Sequence, residues 1–225
     1  MDSVNLTQTL RQLSFALLPV LLGLVLHELA HGYVANIMGD STAKRQGRLT
    51  LNPLPHLSLS GSLFFLVTAF SSAASGSPFI LGWAKPVPVN PRNFRNVRAA
   101  MILVSLAGAV ANLILALIFA LFLYHLIQTE PRVDRAGFLF KTCQIGILVN
   151  CTLAWFNLLP IPPLDGSKVL AGLMPTPLVR PYLNLERYGM MIIILLLIPG
   201  WLGQILRPLT FRTIEIFDSI IKGIF

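Results

Sequence analysis

Five apolar runs, at about 13–39, 57–76, 99–127, 138–160 and 188–206, organise this 225-residue chain. A helix rises about 1.5 Å per residue, so crossing about 30 Å of hydrocarbon takes about 20 apolar residues. Four of the five runs meet that length. Inside a bilayer no water is available to the backbone N–H and C=O groups, so each run must satisfy them as a helix. The run at 57–76 is short and interrupted by Ser58, Ser60, Gly61, Ser62, Thr68, Ser71, Ser72 and Ser75. The stretch 82–91 follows it with Pro86, Pro88 and Pro91, which exclude a helix there. The expected fold is an all-α polytopic membrane protein of four to six membrane segments. It has a re-entrant or hairpin segment at about 57–90 and short strand-like loops.

Composition supports this reading. Only 12% of residues are charged while 55% are hydrophobic; an ordinary soluble domain carries about 25% charged residues. The net charge of +8 does not indicate nucleic acid, because the basic residues fall in short groups between apolar runs, as membrane-protein loops do. The expected partner is the lipid bilayer. Arg11 followed by an apolar run has the outline of a signal peptide, but the run continues to Ile37, beyond the roughly 7–15 residues of a signal core. It reads as a retained first transmembrane helix. Cys143 and Cys151 lie inside an apolar run and read as small buried hydrophobes without a disulfide. In the tail, Ile214, Phe217, Ile220, Ile221 and Ile224 share one helical face opposite Glu215, Asp218, Ser219 and Lys222. That pattern predicts an amphipathic helix lying in the membrane interface over 209–225.

The chemistry begins in the first helix, with His27-Glu28-Leu29-Ala30-His31. Residues i and i+4 lie on one helical face, so the two imidazoles can address one metal ion, and zinc suits nitrogen ligands. Glu28 stands beside the ligands and is placed to take a proton from water that the metal activates. Ionisable groups at membrane depth are costly and mark function. A catalytic zinc takes three protein ligands and keeps a position open. His56 and His125 are candidates for the third; Asp165 is the better one. It ends Asn157-Leu-Leu-Pro160-Ile-Pro162-Pro163-Leu164-Asp165-Gly166, where the prolines unwind the chain and backbone irregularity at membrane depth implies a cavity.

The pairing of His27-Glu28-xx-His31 with Asn157-xx-Pro160-xxx-Leu164-Asp165-Gly166 resembles the site-2 protease family of intramembrane zinc metalloproteases. Similar pieces are Gly47–Leu54, the loop Gly82–Pro91, and Ala107-Gly108-Ala109-Val110-Ala111-Asn112, so the likeness covers about residues 20–170. The form without an inserted PDZ or CBS domain is similar to bacterial and archaeal members. The resemblance implies zinc held by His27, His31 and Asp165, with Glu28 as general base. It further implies Asn112 and Asn157 at the substrate strand or oxyanion, and membrane proteins with a transmembrane helix as substrates. Three positions depart from the family pattern: Ala109 in place of proline, Ser58 in place of aspartate, and Ser167 in place of glycine. On this reading residues 1–225 form one membrane-embedded protease domain. Its catalytic core is 13–170, with an additional transmembrane helix at 188–206. A metal transporter and an inactive helix-binding relative are the competing readings. A transporter needs acidic or histidine residues along several helices, yet only Glu28 and Asp165 of nine acidic residues lie near membrane depth.

Orientation follows from parity. His27 and Asp165 both lie toward the C-terminal ends of their apolar runs, so the two helices must run in the same direction to share a metal. An odd number of crossings then separates them; 99–127 supplies one, and 57–76 should enter and return. That topology puts ten of the 17 basic residues on the site's side and seven on the other. The positive-inside rule then places the zinc nearer the cytoplasm of a bacterial or archaeal cell membrane.

Overall fold

The computed structural model describes residues 6–61, 63, 67, 84–129, 134, 135 and 137–224. The expected re-entrant segment at about 57–90 lies largely outside them. The described chain is helical: α1 (Leu6–Ile37), α2 (Thr42–Arg45), α3 (Val97–Thr129), α4 (Phe138–Asn157), α5 (Asp165–Leu173), α6 (Thr176–Leu183), α7 (Glu186–Leu197) and α8 (Trp201–Ile224). Among these residues, Leu13–Ile37, Val97–Thr129 and Phe138–Asn157 are each long and apolar enough to cross a membrane. They pack on one another as a three-helix core. Their outward faces present bare Leu17, Ile37, Ile114, Ile118 and Phe122, which suits a lipid surround. The only pairing in the strand-like region, among the described residues, is an antiparallel bridge between Leu57 and Ala84.

The C-terminal region differs in its boundaries from the expectation. The run at 188–206 is not one helix: α7 ends at Leu197 and α8 leaves at 82° after a short break. Gly200, at φ +78°, supplies the left-handed turn there. The amphipathic tail is the second half of α8. Ile214 and Phe217 pack against Ala116, Ile147 and Cys151 of α3 and α4, and Trp155 Nε1 donates to Thr213 Oγ1 at 2.9 Å. An apolar stripe at helical spacing serves a protein groove as well as an interface, which is why sequence alone does not separate the two.

The site is positioned by how α1 ends. Asp40 N–H bonds the Ala35 carbonyl and Gly39 N–H that of Asn36, with Gly39 at φ +114°. This is a glycine-closed helix end in which the left-handed residue is required. A Cβ on Gly39 would also meet the Asn93 carbonyl at 2.9 Å. The turn delivers Asp40, fully buried, into a ring of donors. Its carboxylate accepts from Thr42 N–H and Oγ1, from Asn93 Nδ2 at 2.7 Å, and from Asn90 N–H at 2.6 Å. Asp40 thereby anchors the extended segment 84–90 to the first helix. Lys85 N–H reinforces it by bonding the His56 carbonyl at 2.7 Å, and Arg48 Nη2 donates to the Lys85 carbonyl at 2.8 Å.

Burial alone would raise the Asp40 carboxyl, but the hydrogen bonds from Thr42, Asn90 and Asn93 outweigh it and hold the pKa below the usual carboxylate range. A lowered folded pKa means a contribution that is full above the unfolded value of about 3.9 and lost as pH falls through the folded value. Asp40→Ala should therefore lower stability by about 1–3 kcal/mol at neutral pH, since it orphans buried donors. Asp40→Asn should flatten the acid limb of the pH–stability curve. Thermal unfolding in detergent across that limb checks both; an unchanged acid limb in Asp40→Asn would refute the assignment.

Candidate metal centre

Three side chains from α1 and α5 converge. His27 Nε2 lies 2.9 Å from His31 Nε2 and 3.2 Å from Asp165 Oδ2; His31 Nε2 lies 3.0 Å from that same oxygen. All three residues are buried. Among the described residues this is the single cluster whose ligand atoms could share one ion. The i, i+4 spacing in α1 brings the imidazoles together. Asp165 arrives because α4 ends at Asn157 and the proline-rich turn folds back to start α5. That turn is tightly packed. A Cβ on Gly166 would stand 2.1 Å from the Leu158 carbonyl oxygen, so only glycine lets the first turn of α5 press on the end of α4. Tyr182 Oη donates to the Pro160 carbonyl at 2.8 Å, and Gly189 leaves room for that of Pro162.

The other ring nitrogens decide what the cluster can hold. His31 Nδ1 faces the Val104 carbonyl at 2.6 Å, and a carbonyl only accepts, so Nδ1 carries the proton. His27 Nδ1 faces Asn112 Oδ1 at 3.1 Å. With both Nδ1 atoms donating, both Nε2 atoms present lone pairs, and they face a carboxylate oxygen. Three acceptors within 3.2 Å of one another repel unless a cation sits between them. Zinc ligands at about 2.0–2.1 Å in a tetrahedron stand about 3.3 Å apart, close to the spacing found. The donor set fits zinc: two neutral imidazoles and one carboxylate.

Around the cluster lies a cavity of about 370 Å³. His27, Glu28, His31, Asn157, Asp165 and Lys168 line it, together with Pro86, Val87 and Val89 of the anchored segment. Glu28 does not join the ligand cluster. Its Oε2 accepts the Val87 N–H at 2.7 Å, which holds the carboxylate at the cavity wall beside the histidines. Lys168 Nζ sits 3.0 Å from Asp165 Oδ1, leaving Oδ2 to the histidines. The Val87 contact has no signal in the sequence, and Lys168 enters the sequence analysis only as one of the basic residues on the site's side. Lys168 lies one turn after Asp165, a spacing that does reveal it in retrospect.

Other sequence candidates fall elsewhere. His56 is fully buried, with Nε2 2.9 Å from the Thr50 carbonyl; it ties the 50–57 loop together and takes no part in the cluster. His125 is exposed far along α3. Asn157 lines the cavity while its Nδ2 donates to the Leu153 carbonyl at 2.9 Å. Asn112, expected at the substrate or oxyanion, is buried against His27. Its amide is taken up by His27 on one side and Asn150 on the other. Both cysteines are free and buried. Of the departures from the family pattern, Ser167 donates Oγ–H to the Leu164 carbonyl at 2.6 Å, and none alters a ligand.

Gly108 backs the His27 ring. A Cβ there would stand 2.5–2.6 Å from the His27 ring atoms, so Gly108→Ala must swing the imidazole off its axis. Zinc content after dialysis should fall, with affinity down by about 10- to 100-fold while the far-ultraviolet helical signal is retained. Wild-type zinc retention in Gly108→Ala would disprove the packing argument.

Comparison with known proteins agrees with this geometry. Residues 125–199 match the family described as Peptidase family M50, a stretch that contains Asn157 and Asp165 but not the histidine pair. The chain is 40% identical over 197 residues to a Bacillus subtilis protein named "Putative zinc metalloprotease YwhC", covering 87% of this chain and 85% of that one. It is 32% identical over 186 residues to "Putative zinc metalloprotease Rip2" of Mycolicibacterium smegmatis, covering 82% of this chain and 66% of the relative. A Rip2 of Mycobacterium tuberculosis is 28% identical over 189 residues, or 80% of this chain and 67% of its own length. No solved structure matches the chain. A metal-ready cluster on and beside a membrane-long helix, and a 40% likeness to a protein named as a zinc metalloprotease over 87% of this chain, lead to one assignment: the chain belongs to peptidase family M50.

Proposed function

We propose that this zinc metalloprotease hydrolyses peptide bonds in or near the transmembrane segments of other membrane proteins. The observation that carries the reading is the convergence of His27, His31 and Asp165 as three facing acceptors beside a cavity, among helices of membrane length. His27, His31 and Asp165 would hold the zinc. When bound, zinc lowers the pKa of its water toward about 7 and polarises the scissile carbonyl. Glu28 is the general base. With Oε2 held by the Val87 N–H, its carboxylate takes the water proton and passes it to the leaving amine. Asn157, at the cavity wall, orients the substrate strand or the oxyanion.

A helix hides its carbonyls, so the substrate must enter extended, and the anchored segment 84–90 offers extended backbone at the cavity mouth. Its donors are sparse. Pro86 and Pro88 have no N–H, and the Val87 N–H is spent on Glu28. A substrate strand therefore meets mainly carbonyls on this segment and binds through its own N–H groups. The distribution of basic residues supports a site nearer the cytoplasmic face of a bacterial or archaeal cell membrane.

Glu28→Gln keeps the shape and removes the base. Cleavage of a single-pass membrane substrate should drop by about 10²- to 10⁴-fold, with zinc content unchanged. A zinc chelator should abolish wild-type cleavage and added zinc should restore it. Equal cleavage by Glu28→Gln and wild type would remove Glu28 from the mechanism; chelator-resistant cleavage would remove zinc.

A further inference from the structure

Behind the metal cluster runs a directional chain of amides. Asn150 Nδ2 donates to the carbonyls of Gly146 at 2.9 Å and of Pro19 at 3.5 Å. Carbonyls only accept, so the amide of Asn150 is oriented and its Oδ1 must face the next residue. Asn112 Nδ2 donates to that oxygen at 3.3 Å. This orients the second amide too, and leaves Asn112 Oδ1 facing His27 Nδ1 at 3.1 Å. His27 must then carry its proton on Nδ1 and offer the Nε2 lone pair to the metal. Two backbone carbonyls on α1 and α4 thus set the tautomer of a ligand two residues away.

Glycines make room for Asn150 and His27, and a third lets Phe119 pack against α4. Gly23, Gly108 and Gly146 each stand one helical turn before His27, Asn112 and Asn150 on α1, α3 and α4. A Cβ on Gly23 would lie 2.4 Å from Asn150 Oδ1, one on Gly108 2.5 Å from the His27 ring, and one on Gly146 2.6 Å from the Phe119 ring. Both asparagines are fully buried, where an unpaired amide is costly, so the chain is complete or absent. We infer that Asn150 is a positioning residue for the metal centre. Acting through Asn112, it holds His27 in the one tautomer and orientation that bind the metal. The inference rests on the metal reading above, and extends it to a residue that touches neither metal nor substrate.

The test uses the full-length protein in detergent, with Co²⁺ alone as probe, read by its ligand-field absorption and by chelator competition. Asn150→Leu keeps the bulk and removes the amide; Asn150→Ala removes both. Each should weaken Co²⁺ binding by about 10- to 100-fold and shift the absorption bands. Cys151→Ala, a fully buried packing change at the next position of α4, should leave affinity unchanged. Added to Asn112→Ala, either Asn150 substitution should cause little further loss, because the chain is already cut. Wild-type affinity in both Asn150 variants overturns the inference. So does a loss of equal size with and without Asn112. If His31→Ala binds Co²⁺ as tightly as the unaltered protein, the metal reading itself has failed and the amide chain falls with it.

Discussion

Two imidazole nitrogens and one carboxylate oxygen point at one another within 2.9–3.2 Å, inside helices whose other faces are Leu, Ile and Phe. With both rings neutral such a cluster is unstable by itself, because every facing atom is then an acceptor and the medium around it screens poorly. The rest of the core serves to keep it assembled. The Val104 carbonyl and the Asn112 amide consume the only protons the imidazoles own. Lys168 occupies the second oxygen of Asp165, and the glycines at 108 and 166 bring α3 and the end of α4 close enough for these contacts. Electrostatic frustration at the centre is thus offset by hydrogen bonds one layer out. The same frustration creates affinity for a cation.

Glu28 shares a helix with His27 and His31 at i−1 and i+3, which face Asp165 in the cluster, so its carboxylate needs a separate anchor. The segment 84–90 provides it, and that segment is in turn held by Asp40, Arg48 and His56 from outside the three-helix core. Prolines suit this strap. They cannot continue a helix, and they limit unspent N–H groups near a site that must receive another polypeptide. The Glu28 carboxylate is therefore positioned by a loop, while the His27–His31–Asp165 cluster is positioned by helices.

Much of this was legible in the residues. The apolar runs foretold the spanning helices, because in lipid the backbone leaves no other choice. The convergence of His27 and His31 follows from their spacing, and that of Asp165 from the proline-rich turn before it. Less legible were the partners chosen at long range. Asn150 lies 127 residues after Gly23, whose missing Cβ makes space for it, and nothing local singles out Asn150 from Asn157 seven positions on. The resemblance put Asn112 at the substrate strand or the oxyanion; its contacts with His27 and Asn150 come from the packing of α3 against α1 and α4 and have no local signal. The break at Gly200 and the fate of the tail were hidden for a different reason. One stripe of Ile and Phe fits a protein groove and a lipid interface equally well.

Directionality is what separates this centre from a site that merely passes ions. A transport site gains from ligands that reorient, since each ion must be released on the far side. Here the reverse holds: one histidine tautomer is set by a main-chain carbonyl of α3 and the other by two carbonyls acting through a pair of amides. Neither ring can turn without orphaning buried polar groups. The acidic residue beside the pair is not a further ligand but is held at the cavity wall by a backbone donor. Fixed ligands, a separately tethered carboxylate and an adjoining cavity suit a metal that stays while another molecule is processed, which is the arrangement hydrolysis requires.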